Sequence, residues 1–235
     1  MRKHLFLFLV LACMLAALGS AALLLRSPDA AHAPQKEPQP PSPTEPSEET
    51  PPSEQTKSDT GNVEDSPKDL PLVRAEERVT KKPFGIYITP ETSPVDPERF
   101  SGYHTGTDYE MLPGEATSDA SVFAICDGEI LEKRIVSGYG GVIIQSCRYE
   151  GAPVTVLYGH LDISASEQTI GDMVRAGDAI AILGEGYSPE TDGERKHLHL
   201  AIHRGPSLEY RGYVRSESEL SRWIDPEIFL NTPLR

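Results

Sequence analysis

The chain has 235 residues, of which 38% are hydrophobic and 25% charged, and it carries a formal net charge of −14. That length holds one or two domains. The acidity, with no basic stripe to meet phosphates, excludes nucleic acid as a partner. From the N-terminus, residues 5–25 are an uncharged apolar run behind Arg2 and Lys3. At 1.5 Å per residue they would extend about 30 Å as a helix, the thickness of a bilayer core. Residues 1–26 are therefore expected to be an N-terminal membrane anchor, with the basic end cytoplasmic and the rest of the chain outside. The alternative is a cleaved signal peptide with Gly19-Ser20-Ala21 as its small-residue site.

Residues 27–83 are rich in Pro, Glu, Ser and Thr, as in Pro38-Gln39-Pro40-Pro41-Ser42-Pro43. Such a composition buries too little apolar surface to offset its ordering entropy, so a disordered linker is expected. Prolines and acidic self-repulsion would keep it semi-extended. The folded part is expected over residues 84–235, long enough for one core. Short apolar runs recur there between turn signals, at residues 84–89, 122–125, 129–136, 141–146, 154–158, 179–183 and 197–203. Gly138-Tyr139-Gly140-Gly141 reads as a hairpin connection, and only residues 216–224 suggest a short helix. The expected fold class is mainly β, an antiparallel sheet. Cys126 and Cys147 end neighbouring expected strands; they are read equally as a disulfide and as two buried thiols.

Of seven histidines, five fall in this part, four of them in three short stretches. The first stretch holds His104 and Asp108, whose even separation puts both on one face if the segment is extended. The second is Tyr158-Gly159-His160-Leu161, a strand running into a Gly-His pair. The third is His197-Leu198-His199 inside Lys196–His203, where strand alternation sends both imidazoles one way and Leu198, Leu200 and Ile202 the other. Imidazole and carboxylate together suit a borderline cation such as Zn²⁺. His203 is expected at the surface beyond this face. Asp162, Asp192, Glu194, Arg195 and Lys196 are expected as solvated loop charges, and Tyr139 either lines the groove or packs in its hairpin.

In this order, His104-x-x-x-Asp108, Tyr158-Gly159-His160-Leu161 and His197-Leu198-His199 resemble the M23 family of zinc metallopeptidases, the lysostaphin and LytM type. The stretches 122–130, 138–141, 174–184 and Trp223-Ile224-Asp225-Pro226 are similar to that family too, so the likeness spans roughly residues 84–230. The resemblance implies one Zn²⁺ held by His104, Asp108 and His199. It implies His160 and His197 as a catalytic, non-ligating pair whose base and oxyanion-donor roles stay unassigned. It also implies hydrolysis of peptidoglycan stem or bridge peptides by a metal-activated water. The rival expectation is a non-catalytic domain of this type that binds the wall and activates another hydrolase. With residues 5–25 as anchor, the expected location is a single-pass bacterial membrane protein with its catalytic domain extracytoplasmic.

Overall fold

The computed structural model describes residues 69–232. Its strands are β1 (Tyr87–Ile88), β2 (Gly102–His104), β3 (Gly106–Glu110), β4 (Ser121–Phe123), β5 (Gly128–Val136), β6 (Gly140–Tyr149), β7 (Ala152–Asp162), β8 (Met173–Val174), β9 (Ala179–Leu183), β10 (His197–Arg204), β11 (Tyr213–Val214) and β12 (Trp223–Ile224). A six-residue helix, α1 (Pro226–Asn231), follows and is capped by the Asp225 carboxylate. The main sheet runs β12-β10-β7-β6-β5-β8, with β3 also on β10 and β9 on both β7 and β4. Every described pairing is antiparallel. All the strands expected from apolar runs are present.

Alternation along β10 divides two cores. Leu198, Leu200 and Ile202 join the larger cluster with Val156, Tyr158, Ile143 and Phe229. Ala201, of the same parity as His197 and His199, joins the smaller cluster with Val142, Ile144, Leu157 and Trp223. The histidines thus rise from the opposite side of the strand to its leucines. Between β5 and β6 the expected hairpin forms, with Gly138 and Gly140 at φ of 89° and 71°. Cys126 and Cys147 are joined as a disulfide across a Cα–Cα separation of 6.1 Å.

Three expectations are corrected. No helix among the described residues is long and apolar enough to cross a membrane, which overturns the single-pass placement; α1 is about 9 Å long at 1.5 Å per residue. The apolar run 5–25 and its cleavage-site alternative lie outside the described residues, as does the linker up to residue 68. Residues 69–83, expected as linker, pack on the domain. Leu72 and Ala75 are each 1% exposed, and Lys82 is buried in an ion pair with Glu98. This strap offers few apolar residues, so its composition resembles a spacer although its backbone is bonded. The amides of Asp108 and Glu110 donate to the carbonyls of Lys82 and Arg78, each at 2.9 Å. The short helix expected at 216–224 does form, as a six-residue 3₁₀ helix over Glu217–Arg222 that runs into β12. Finally, His203 is buried against Trp223, ring centroids 5.3 Å apart, and not at the surface.

Candidate metal centre

Three strands bring the chemistry together. In the β3–β10 ladder His199 lies opposite Asp108 and His197 opposite Glu110, while on the other side of β10 His199 faces Gly159 of β7. His104 comes from the end of β2, whose backbone is pinned by the amide of His104 donating to Ile86 and that of Gly85 to His104, each at 2.9 Å.

His160 reaches this group by a β-bulge. Simple alternation would put it on the Tyr158 side, in the larger core. Instead, Gly141 of β6 pairs with Leu161 and Val142 with Gly159, so β7 has one extra residue here. That residue is His160, at φ 65°. The extra residue returns Leu161 to the core and turns His160 towards β10, where its ring centroid is 4.3 Å from that of His197.

His104 Nε2, Asp108 Oδ1 and His199 Nδ1 form a triangle with sides of 3.0, 3.1 and 3.3 Å. Tetrahedral zinc with donors at about 2.0–2.1 Å would separate them by about 3.3 Å. Among the described residues these are the ones grouped tightly enough to hold an ion. The tautomers fit as well. His104 Nδ1 lies 3.2 Å from the carbonyl oxygen of Pro83, which only accepts, so the proton is on Nδ1 and Nε2 carries a lone pair. The second nitrogen of His199, Nε2, has the Tyr139 hydroxyl at 3.4 Å. The sequence left Tyr139 open between groove and hairpin, and it serves both. Its ring is wedged where a Cβ on Gly159 would stand 2.6 Å from Cδ1 and one on Gly212 2.7 Å from the hydroxyl. Lone pairs converging at 3 Å, with a carboxylate beside them, suit a cation.

The electrostatics agree. Burial opposes ionisation of Asp108, but His197 and His104 outweigh it and hold its carboxyl well below the usual range. Burial pushes His199 down to about 4. Burial, with His197 and His199 as neighbours, holds His160 well below its ordinary value. His160 and His199 are therefore neutral near pH 7, with lone pairs to offer. His160 Nδ1 has no hydrogen-bond partner among the described residues. His197 Nδ1 donates to the Arg195 carbonyl at 2.8 Å, and its Nε2 lies 3.3 Å from Asp108 Oδ2.

All five expected residues thus meet, four of them lining a cavity of about 230 Å³ walled by Phe100, Tyr139, Tyr210 and Tyr213. The loop charges expected in solvent are engaged. Asp192 accepts from the Gly138 amide at 2.8 Å, Glu194 binds Arg99 at 2.9 Å, and Lys196 binds Glu185 at 2.8 Å. Asp162 accepts from the Ser164 amide at 2.9 Å. Arg195 reaches Asp108 itself, at 2.8 Å. Phe100, Tyr210 and Tyr213 went unnoticed in the sequence because aromatic residues in loops, or in a strand of two residues, carry no periodic signal.

Compared with curated proteins, the sequence has no match. Among solved structures, it is similar to the catalytic domain of the antimicrobial peptidase lysostaphin from Staphylococcus simulans, at 22% identity over 68% of this chain and 98% of that one, TM-score 0.47. It is also similar to LytU, at 22% identity over 65% and 83% of the two chains, TM-score 0.43. A chain of the SpoIIQ–SpoIIIAH pore-forming complex gives 18% identity over 72% and 93%, TM-score 0.48. Residues 102–210, the span from β2 to the loop after β10 that contains every ligand and both further histidines, match Peptidase family M23. A donor set fitted to zinc thus lies within the span that matches that family.

Proposed function

We propose that the protein is a zinc-dependent endopeptidase that hydrolyses peptide cross-links of bacterial peptidoglycan. The observation that carries the reading is the triangle of His104 Nε2, Asp108 Oδ1 and His199 Nδ1 in a cavity shared with two further imidazoles. These three residues would hold one Zn²⁺. When bound, the ion supplies Lewis-acid chemistry, lowering the pKa of a water and polarising the scissile carbonyl.

His160 and His197 do the proton work as a pair. Burial keeps His160 neutral, so its ring offers one lone pair and one N–H. One imidazole of the pair accepts the proton of the attacking water and later returns it to the leaving amine, while an N–H of the other donates a hydrogen bond to the oxyanion of the tetrahedral intermediate. The Arg195 carbonyl fixes the tautomer of His197 at Nδ1. Aromatic walls exclude water from the peptide plane and orient the chain to be cut. Residues 69–232 act as the peptidase domain, with the Pro- and Glu-rich stretch before them as a spacer that extends its reach into a peptide mesh.

Full-length protein incubated with purified cross-linked peptidoglycan tests this. Mass analysis should find cross-linked muropeptides converted to monomers with one new amine per cut. A chelator should stop the conversion and added zinc restore it. Intact muropeptides despite one bound zinc would favour the wall-binding, hydrolase-activating alternative.

A further inference from the structure

Arg195 stands two residues before His197, at the entrance to β10, and lines the cavity of the metal cluster. Its side chain is 12% exposed. Nη2 donates to Asp108 Oδ2 at 2.8 Å, and Nε donates to Glu110 at 3.0 and 3.1 Å. Asp108 and Glu110 are two apart on β3, so their side chains share a face and one guanidinium spans both.

This bridge divides the Asp108 carboxylate. Oδ1 faces the two imidazole nitrogens of the triangle, and Oδ2 faces Arg195 and His197. A carboxylate free to rotate could offer either oxygen or both, and only Oδ1 closes the triangle. We propose that Arg195 is a positioning residue that commits Asp108 to the metal through Oδ1 alone, with Glu110 as the anchor that holds the guanidinium in place. The inference rests on the zinc reading above and concerns this chain's own charges.

Two physical effects oppose each other here. A guanidinium beside a ligand repels a divalent cation, so by charge alone its removal would tighten binding. Glu110 offsets that charge, being 9% exposed at its side chain and in contact with Arg195. What remains is orientation by hydrogen bonds to a ligand's outer oxygen, whose loss typically costs 10–100-fold in metal affinity.

The test measures zinc affinity of the full-length protein by competition with a chelator, with metal-free thermal melting as the control for folding. Arg195→Met should weaken zinc binding roughly 10–100-fold. Because this variant leaves the buried Glu110 without its main partner, which itself costs stability, the double variant Arg195→Met with Glu110→Gln is the decisive one. It removes the bridge while leaving the net charge unchanged, so a role in charge alone predicts wild-type affinity. Positioning predicts the same roughly 10–100-fold loss as in the single variant. Binding by the double variant within about threefold of wild type would overturn the inference and leave the zinc reading intact. A wild-type protein that binds no zinc would overturn both.

Discussion

His160 and His197 stand ring to ring, 4.3 Å apart, because β7 holds one residue more than the strand beside it. His160 occupies that extra position in a left-handed conformation, φ 65°, which asparagine tolerates better than most residues. His160→Asn should therefore fold and bind one zinc, yet hydrolyse cross-links roughly 10²–10⁴ times more slowly. His197→Asn should behave alike. Metal content by mass spectrometry and muropeptide release rates check both. A variant that loses its zinc would instead place that histidine among the ligands.

Gly106 is pressed against a ligand. A Cβ there would stand 2.8 Å from both Cε1 and Nε2 of His199 and closer still to the Leu200 carbonyl oxygen. Backbone cannot yield as a flexible side chain can. Gly106→Ala should cost about 1–3 kcal/mol, as overpacking does. It should also displace His199 and weaken zinc binding. Melting temperature and chelator competition read the two effects separately; wild-type values in both would mean that β10 can slide at this point.

His199→Ala should bind no zinc and show no hydrolysis, while His203→Gln, four residues further along the strand, should keep both. Metal analysis of the two purified proteins makes the comparison. Retention of one zinc by His199→Ala would contradict the ligand set.

Acid should destabilise the metal-free protein. Burial holds His199 at about 4 and keeps His160 and His203 below their ordinary values as well. The unfolded chain takes up protons at these positions near pH 6.5, and the folded chain does not. Stability is therefore full above about 6.5 and falls as pH drops towards about 4. Asp108, whose folded pKa is depressed, contributes in a lower window, below its unfolded value of about 3.9. Melting temperatures of chelated protein from about pH 7.5 to about pH 5 should decline, and less steeply in His203→Gln. A flat profile would show that these imidazoles protonate without unfolding.

The Cys126–Cys147 bridge spans 21 residues and joins the segment before β5 to β6. A loop of that size gives about 3 kcal/mol by the chain-entropy account. Cys126→Ala with Cys147→Ala should lower the denaturation midpoint accordingly and steepen the dependence on denaturant concentration, because the unlinked unfolded chain exposes more surface. An equal midpoint would show that the two thiols pack as well apart as joined.

Alternation and motif spacing made much of this legible from the residues. The β10 pattern Leu198, Leu200, Ile202 assigned the leucines to one core and His197 and His199 to the other side, and the ladder follows it. Parity alone misleads at His160, because a bulge is one residue's φ and leaves no periodic trace. The pairing of Arg195 with Asp108 and Glu110 was equally hidden. It joins positions 87 and 85 residues apart, and a charged residue before a strand looks the same whether solvated or engaged. The boundary at residue 84 erred because the strap uses backbone carbonyls, which composition does not register.

That strap makes the metal centre dependent on chain that contributes no ligand. The Pro83 oxygen decides which nitrogen of His104 bears hydrogen, and the Lys82 and Arg78 oxygens border the outer side of β3. A fragment trimmed to begin at residue 84 would keep every donor atom yet lose the acceptor that holds the His104 proton on Nδ1 and turns Nε2 to the site.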